Sequence, residues 1–178
     1  VIKNAEIITA ADHYRGDIAV CDGKIVAIAG NLPENDAGRV IDAAGRRVTP
    51  GGVDAHCHLD QASEDGSVGA DDFFTGTRSA ACGGTTTVIP FAMQFKGQSL
   101  ADAVADYHRR AGGKACVDYS FHLIITDATP QVIAEIPQMV AQGYTSFKIY
   151  MTYDALKLSD GHILDVLEAT RQSGAMAM

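Results

Sequence analysis

Gly83-Gly84-Thr85-Thr86-Thr87-Val88-Ile89-Pro90-Phe91 is the stretch that decides the fold. Two glycines close the element before it, and a run of β-branched and apolar residues follows. Such a run suits a strand covered on both faces, as in a parallel sheet with helices packed outside. Upstream, Asp71 or Asp72 is a candidate N-cap for a helix from about Asp72 to Cys82, which Gly83-Gly84 ends. Before that helix, Val53 to His58 reads as a short strand.

Downstream the alternation repeats. Ser99 with Asp102 reads as a capping box, and Leu100, Ala103, Val104, Tyr107 and Ala111 mark one helical face. Val117 to Ile125 is a strand. Thr129-Pro130 opens a third helix with proline at its first position, and Pro137 is expected to kink it about two turns in. Thr145 to Met151 is a fourth strand. Ser159 caps a fourth helix with Ile163, Val166, Leu167 and Thr170 on its apolar face, Gly174 ends it, and Ala175 to Met178 begins a fifth strand.

Strands alternating with helices of this length predict βαβ units on a parallel sheet. Four units and the start of a fifth strand amount to the first half of a (β/α)8 barrel of roughly 250 residues, here residues 51–178. A chain stopping inside a strand reads as the N-terminal part of a longer one. The alternative is an open doubly wound sheet, but no glycine-rich dinucleotide fingerprint follows Val53 to His58. Residues 1–50 differ in rhythm. Short strands at Val1 to Thr9, Asp17 to Val20, Lys24 to Ala29, Val40 to Ile41 and Arg47 to Thr49 are punctuated by Asp22-Gly23, Gly30-Asn31 and Ala44-Gly45. Asp22-Gly23 is a strong two-residue hairpin signal.

Composition narrows the function classes. The 178 residues are 47% hydrophobic and 20% charged, which is globular. A net charge of -8 argues against nucleic acid or an anionic membrane as partner. No apolar run approaches the roughly 18 residues of a membrane helix, and Val1 opens on folded-looking sequence without a signal peptide, so a cytoplasmic protein is expected. Cys21, Cys57, Cys82 and Cys116 form no C-x-x-C pair, which disfavours both a disulfide framework and a thiolate zinc site.

The chemistry centres on His56-Cys57-His58. Residues two apart on a strand point the same way, so both imidazoles face one side and Cys57 the other. At the C-terminal end of a first barrel strand, that pair would sit on the face where barrel active sites are built and could begin a zinc site. Taken alone, an H-x-H pair is more often chance. Lys148, within Phe147-Lys148-Ile149-Tyr150-Met151, has apolar neighbours that leave it little water. Burial favours the neutral amine, which can react with carbon dioxide to give a carbamate, an anionic oxygen ligand. An interior ion pair is the plainer reading of that lysine by itself. His13, His108 and His162 fall outside the predicted strand ends, and His122, on the third barrel strand, is read as hydrogen-bonded rather than ligating.

Several motifs in order resemble one family. Gly51-Gly52-Val53-Asp54-Ala55-His56-Cys57-His58-Leu59-Asp60 is similar to the first-strand metal motif of the cyclic amidohydrolases. Asp71 to Thr77, Gly83 to Thr87, Asp118 to His122 and Ser146 to Tyr153 are similar to the hydantoinase and dihydropyrimidinase branch. The resemblance implies a metal-dependent barrel with a small β-sandwich made from both chain ends, residues 1–50 being one part of it. It implies two zinc ions, with His56 and His58 on the more buried one and Lys148, carboxylated by carbon dioxide, bridging both. Tyr153 would bind the substrate carbonyl and its oxyanion. Further metal histidines and a catalytic aspartate are expected beyond Met178.

The implied reaction is hydrolytic ring opening of 5,6-dihydropyrimidines or 5-substituted hydantoins in a homotetramer. Segments near Gln61 to Ser67 and Asp154 to Leu158 are expected to shape the pocket for the exocyclic substituent. Asp60 stands where dihydroorotases carry an arginine for a substrate carboxylate, which points to a substrate without one. Allantoinase, dihydroorotase and a non-catalytic dihydropyrimidinase-like scaffold are the rival readings, and the survival of His56, His58 and Lys148 weighs against the scaffold.

Overall fold

A computed structural model describes residues 1–61, 67 and 69–178. By internal contacts the chain divides into Val1–Gly51 and Gly52–Met178. Among the described residues, no helix is long and apolar enough to cross a membrane.

The first unit is a five-stranded sheet. β1 (Ile2–Ile8) pairs antiparallel with β2 (His13–Cys21), which pairs antiparallel with β3 (Lys24–Ala29). β4 (Ile41–Asp42) and β5 (Arg47–Val48) run parallel to β1 on its other side. The predicted hairpin at Asp22-Gly23 joins β2 to β3 with both residues at positive φ, +49° and +73°, as a type I′ turn needs. Alternate residues of β1 and β2 enter a small core of Ala5, Ile7, Ile18 and Ala43. Beside it Lys3 and Asp17 form a buried ion pair 2.5 Å apart. The Asp17 carboxylate also accepts from the backbone N–H of Asn4 and Leu32, each at 2.8 Å.

The second unit is the predicted strand–helix alternation. Its strands are β6 (Gly52–Cys57), β7 (Thr85–Met93), β8 (Asp118–Tyr119), β9 (His122–Ile124), β10 (Ser146–Lys148) and β11 (Met176–Ala177). Between them lie α1 (Phe73–Cys82), α2 (Leu100–Ala111), α3 (Pro130–Ala141) and α4 (Asp160–Gln172). All strand pairs are parallel, and the order is β11-β10-β9-β7-β6, with β8 beside β7. Consecutive strands are neighbours and the order never reverses. A doubly wound sheet reverses at its switch point; a barrel does not.

One face of this sheet is covered by the helices. Val88, Ala92, Leu123 and Phe147 meet Phe73, Leu100, Tyr107, Val132, Ile136 and Val166 in the main core. The other face carries a separate cluster of Phe91, Met93 and Ile124, with Tyr150, Leu156 and Met178 against it. Because strand side chains alternate, β7 sends Val88 and Ala92 outward and Phe91 and Met93 inward.

Two local expectations change. The third strand is not continuous: β8 pairs with β7 at Thr87 and Val88, β9 pairs with it from Phe91 onward, and Ser120 and Phe121 separate them. Pro137 lies inside the continuous helix α3. The capping box is found at Asp72 and Thr75 rather than at Ser99 and Asp102. Ser99 still accepts from Asp102 N–H at 3.0 Å, but the N–H groups of Leu100 and Ala101 go to Glu135 on α3, at 2.7 and 3.3 Å.

Candidate functional site

His56 is the penultimate residue of β6 and His58 follows the strand end. Cys57 between them turns into the helix-side core, where burial pushes its thiol up to about 11. The two imidazoles therefore share the inner face, their ring centroids 5.5 Å apart. Phe91, opposite on β7, lies against both: its ring is 4.8 Å from His56, edge-on, and 5.1 Å from His58, stacked.

His58 Nδ1 pairs with Gln61 Oε1. An amide oxygen only accepts, so Nδ1 carries a proton, and in the neutral ring Nε2 keeps its lone pair. Metal-binding histidines are commonly oriented through their second nitrogen in this way. Leu59, next in the chain, is buried against α1 at Gly76, and Asp60 turns the backbone at φ +49° with its carbonyl held by Arg110 Nη1 at 2.7 Å.

Lys148 closes β10 on the same face, half-buried, with Nζ 5.4 Å from the centre of the Tyr150 ring. Tyr153 lies in the turn beyond, 63% exposed, its ring edge-on to Tyr150 at 5.3 Å. Its carbonyl accepts from Leu156 and Lys157 N–H, which fixes the turn. His56, His58, Lys148 and Tyr153 thus line one cleft of about 380 Å³, floored by Phe91.

The donor set suits a divalent cation in part. Two convergent imidazoles are appropriate ligands, whereas the Lys148 ammonium only donates, and no group of three His, Cys, Asp or Glu able to hold a metal occurs among the described residues. His122 is not part of it, since both of its ring nitrogens are engaged, by Ala55 O and Ser146 Oγ.

Sequence reasoning missed the residues around the donors. In the sequence Phe91 is only the end of a strand, although the alternation 89, 91, 93 signals its inward face. A second cavity of about 640 Å³ adjoins His58, with Met93, Phe95, Tyr150 and Leu156 supplying apolar walls and Lys96 and Gln94 polar ones. Ala155 and Leu156 from the expected pocket segment do line it, as do Gln61 and Gly69. Residues 62–66 of the other segment lie outside the described residues.

The model of the Amidohydrolase family matches residues 47–178. The chain belongs to that family. At 46% identity over 180 residues it is similar to a D-hydantoinase of Geobacillus stearothermophilus, covering all of this chain and 38% of that one. A solved D-hydantoinase structure superposes with a TM-score of 0.94 at 44% identity. The dihydropyrimidinase from Brevibacillus agri superposes at 0.93 and 42% identity, and each of these two matches covers 99% of this chain and 38% of the other. This amidohydrolase chain therefore spans 38% of the length of the curated relatives it matches. The strand order is that of a barrel rather than of a nucleotide-binding sheet.

Proposed function

We propose that this amidohydrolase hydrolyses the ring amide of 5-substituted hydantoins or 5,6-dihydropyrimidines. The observation that carries the reading is the convergence of His56, His58, Lys148 and Tyr153 on one cleft. The names of its relatives, D-hydantoinase and dihydropyrimidinase, supply the substrate class.

His56, His58 and Lys148 would hold two zinc ions together with ligands outside these residues. Lys148 would first add its neutral amine to carbon dioxide, forming an N–C bond and releasing one proton, to become an anionic bridging ligand. When bound, the ions supply hydroxide at neutral pH and polarise the carbonyl under attack. Tyr153 donates its hydroxyl proton in a hydrogen bond to the substrate carbonyl and, as charge grows there, to the oxyanion. Gln61 keeps His58 in the tautomer that presents Nε2. Phe91 closes the floor beneath both histidines and keeps water from it. The neighbouring cavity, with its apolar walls, receives the substituent on the ring. The family resemblance supports a cytoplasmic homotetramer.

The test uses protein expressed from the complete coding sequence. Metal content and hydrolysis of dihydrouracil, 5-substituted hydantoins, allantoin and dihydroorotate are measured side by side. Two divalent ions per chain and fastest turnover on a hydantoin or dihydrouracil are expected. Turnover confined to allantoin or dihydroorotate overturns the substrate assignment, and activity without bound metal overturns the centre.

A further inference from the structure

We infer that His122 is a positioning residue that ties the strand bearing His56 to the strand bearing Lys148, and so sets the spacing of the proposed metal ligands. The inference rests on the metal-centre reading above.

His122 opens β9 and is 8% exposed. Its Nε2 lies 2.9 Å from the carbonyl oxygen of Ala55, the residue before His56, and its Nδ1 pairs with the Ser146 hydroxyl. Ser146 is two residues before Lys148 on β10, hence on the same face. A carbonyl only accepts, so Nε2 carries the proton, and Nδ1 of the neutral ring accepts from Ser146.

β6 and β10 are not neighbours, since β7 and β9 lie between them. Ladder hydrogen bonds fix adjacent strands only, whereas His122 reaches across β7 to β6 and sideways to β10. The reach falls where the ladder is weakest. Pairing of β6 with β7 jumps from Asp54↔Val88 to Cys57↔Pro90, so Ala55 and His56 together face the single residue Ile89 in a register irregularity. There the Ala55 carbonyl takes its hydrogen bond from a side chain two strands away. The His122 ring also lies 5.0 Å from Phe91, the ring that floors both His56 and His58. One buried imidazole therefore braces the backbone at His56, the floor of the site and the strand of Lys148.

The test compares wild type with His122→Phe, His122→Gln and Ser146→Ala, in protein from the complete coding sequence loaded with cobalt(II). Metal affinity, the visible cobalt spectrum and the thermal midpoint are read for each. Loss of an outer hydrogen-bond partner typically costs roughly 10- to 100-fold in metal affinity. That loss and a changed cobalt spectrum are expected for His122→Phe, a smaller effect for Ser146→Ala, and partial rescue by His122→Gln, whose amide can donate to Ala55. If His122→Phe does not fold, the other two variants decide. Variants that lose only thermal stability, with cobalt affinity and spectrum unchanged, overturn the inference while the metal centre stands. A wild-type protein that binds no metal instead overturns the centre itself.

Discussion

Leu59 occupies the space that a β-carbon on Gly76 would need: the added atom would overlap Leu59 Cδ2. Leu59 is buried and adjoins His58, so this fit between α1 and the end of β6 fixes where the second histidine leaves the strand. Alanine in place of glycine normally favours a helix by about 1 kcal/mol. Here overpacking, typically about 1–3 kcal/mol, opposes that gain. Gly76→Ala is predicted to lower stability by about 1 kcal/mol net. A denaturant midpoint equal to wild type or higher would show that Leu59 moves aside freely.

Lys148→Ala is expected to abolish the bridging ligand of the proposed centre. Protein from the complete coding sequence should then hold fewer ions and lose most of its hydrolysis, with partial recovery on adding small carboxylic acids. Two tightly held ions and full turnover in that variant would remove the carbamate from the mechanism.

Tyr153→Phe keeps the ring that packs on Tyr150 and removes only the hydroxyl. Metal content should stay at the wild-type value while kcat falls by roughly two to three orders of magnitude, the usual loss for one oxyanion donor. An unchanged kcat would exclude Tyr153 as that donor.

The first unit should be acid-sensitive through Asp17. The hydrogen bond from Lys3, with those from Leu32 and Asn4 N–H, lowers its carboxyl to about 2 from an ordinary value of 3.8. A depressed folded-state value adds stability above the unfolded value and loses it as pH falls through the folded one. The stability gap between wild type and Asp17→Asn should therefore be constant above pH ~5 and close between pH ~4 and ~2. A gap independent of pH over that range would mean that Asp17 acts by shape alone.

Much of the second unit is legible in the sequence because its signals are local. Thr85 to Phe91 reads as a buried strand from composition, and Asp72, Ser99, Thr129 and Ser159 all serve as N-caps. The four cleft residues follow from motif order, and they line one cleft in the fold. What stays hidden depends on partners distant in sequence. The break between β8 and β9 arises from which part of β7 each can pair with. Phe91 under the histidines, Gln61 on His58 and His122 on Ala55 are contacts between elements, for which single-strand periodicity carries no signal.

Glu135 has a consequence for how the chain is made. The first turn of α2 hands two backbone N–H groups to a carboxylate synthesised 35 residues later. At about 5–20 residues per second, a ribosome leaves that turn waiting roughly 2 to 7 seconds for its acceptor. The second helix therefore completes only when the third has emerged, and the two enter the fold as a pair. Nascent chains arrested on either side of Glu135, after both helices have cleared the exit tunnel in the longer one, should differ in protease resistance at Leu100 and Ala101; equal cleavage there would separate their docking in time.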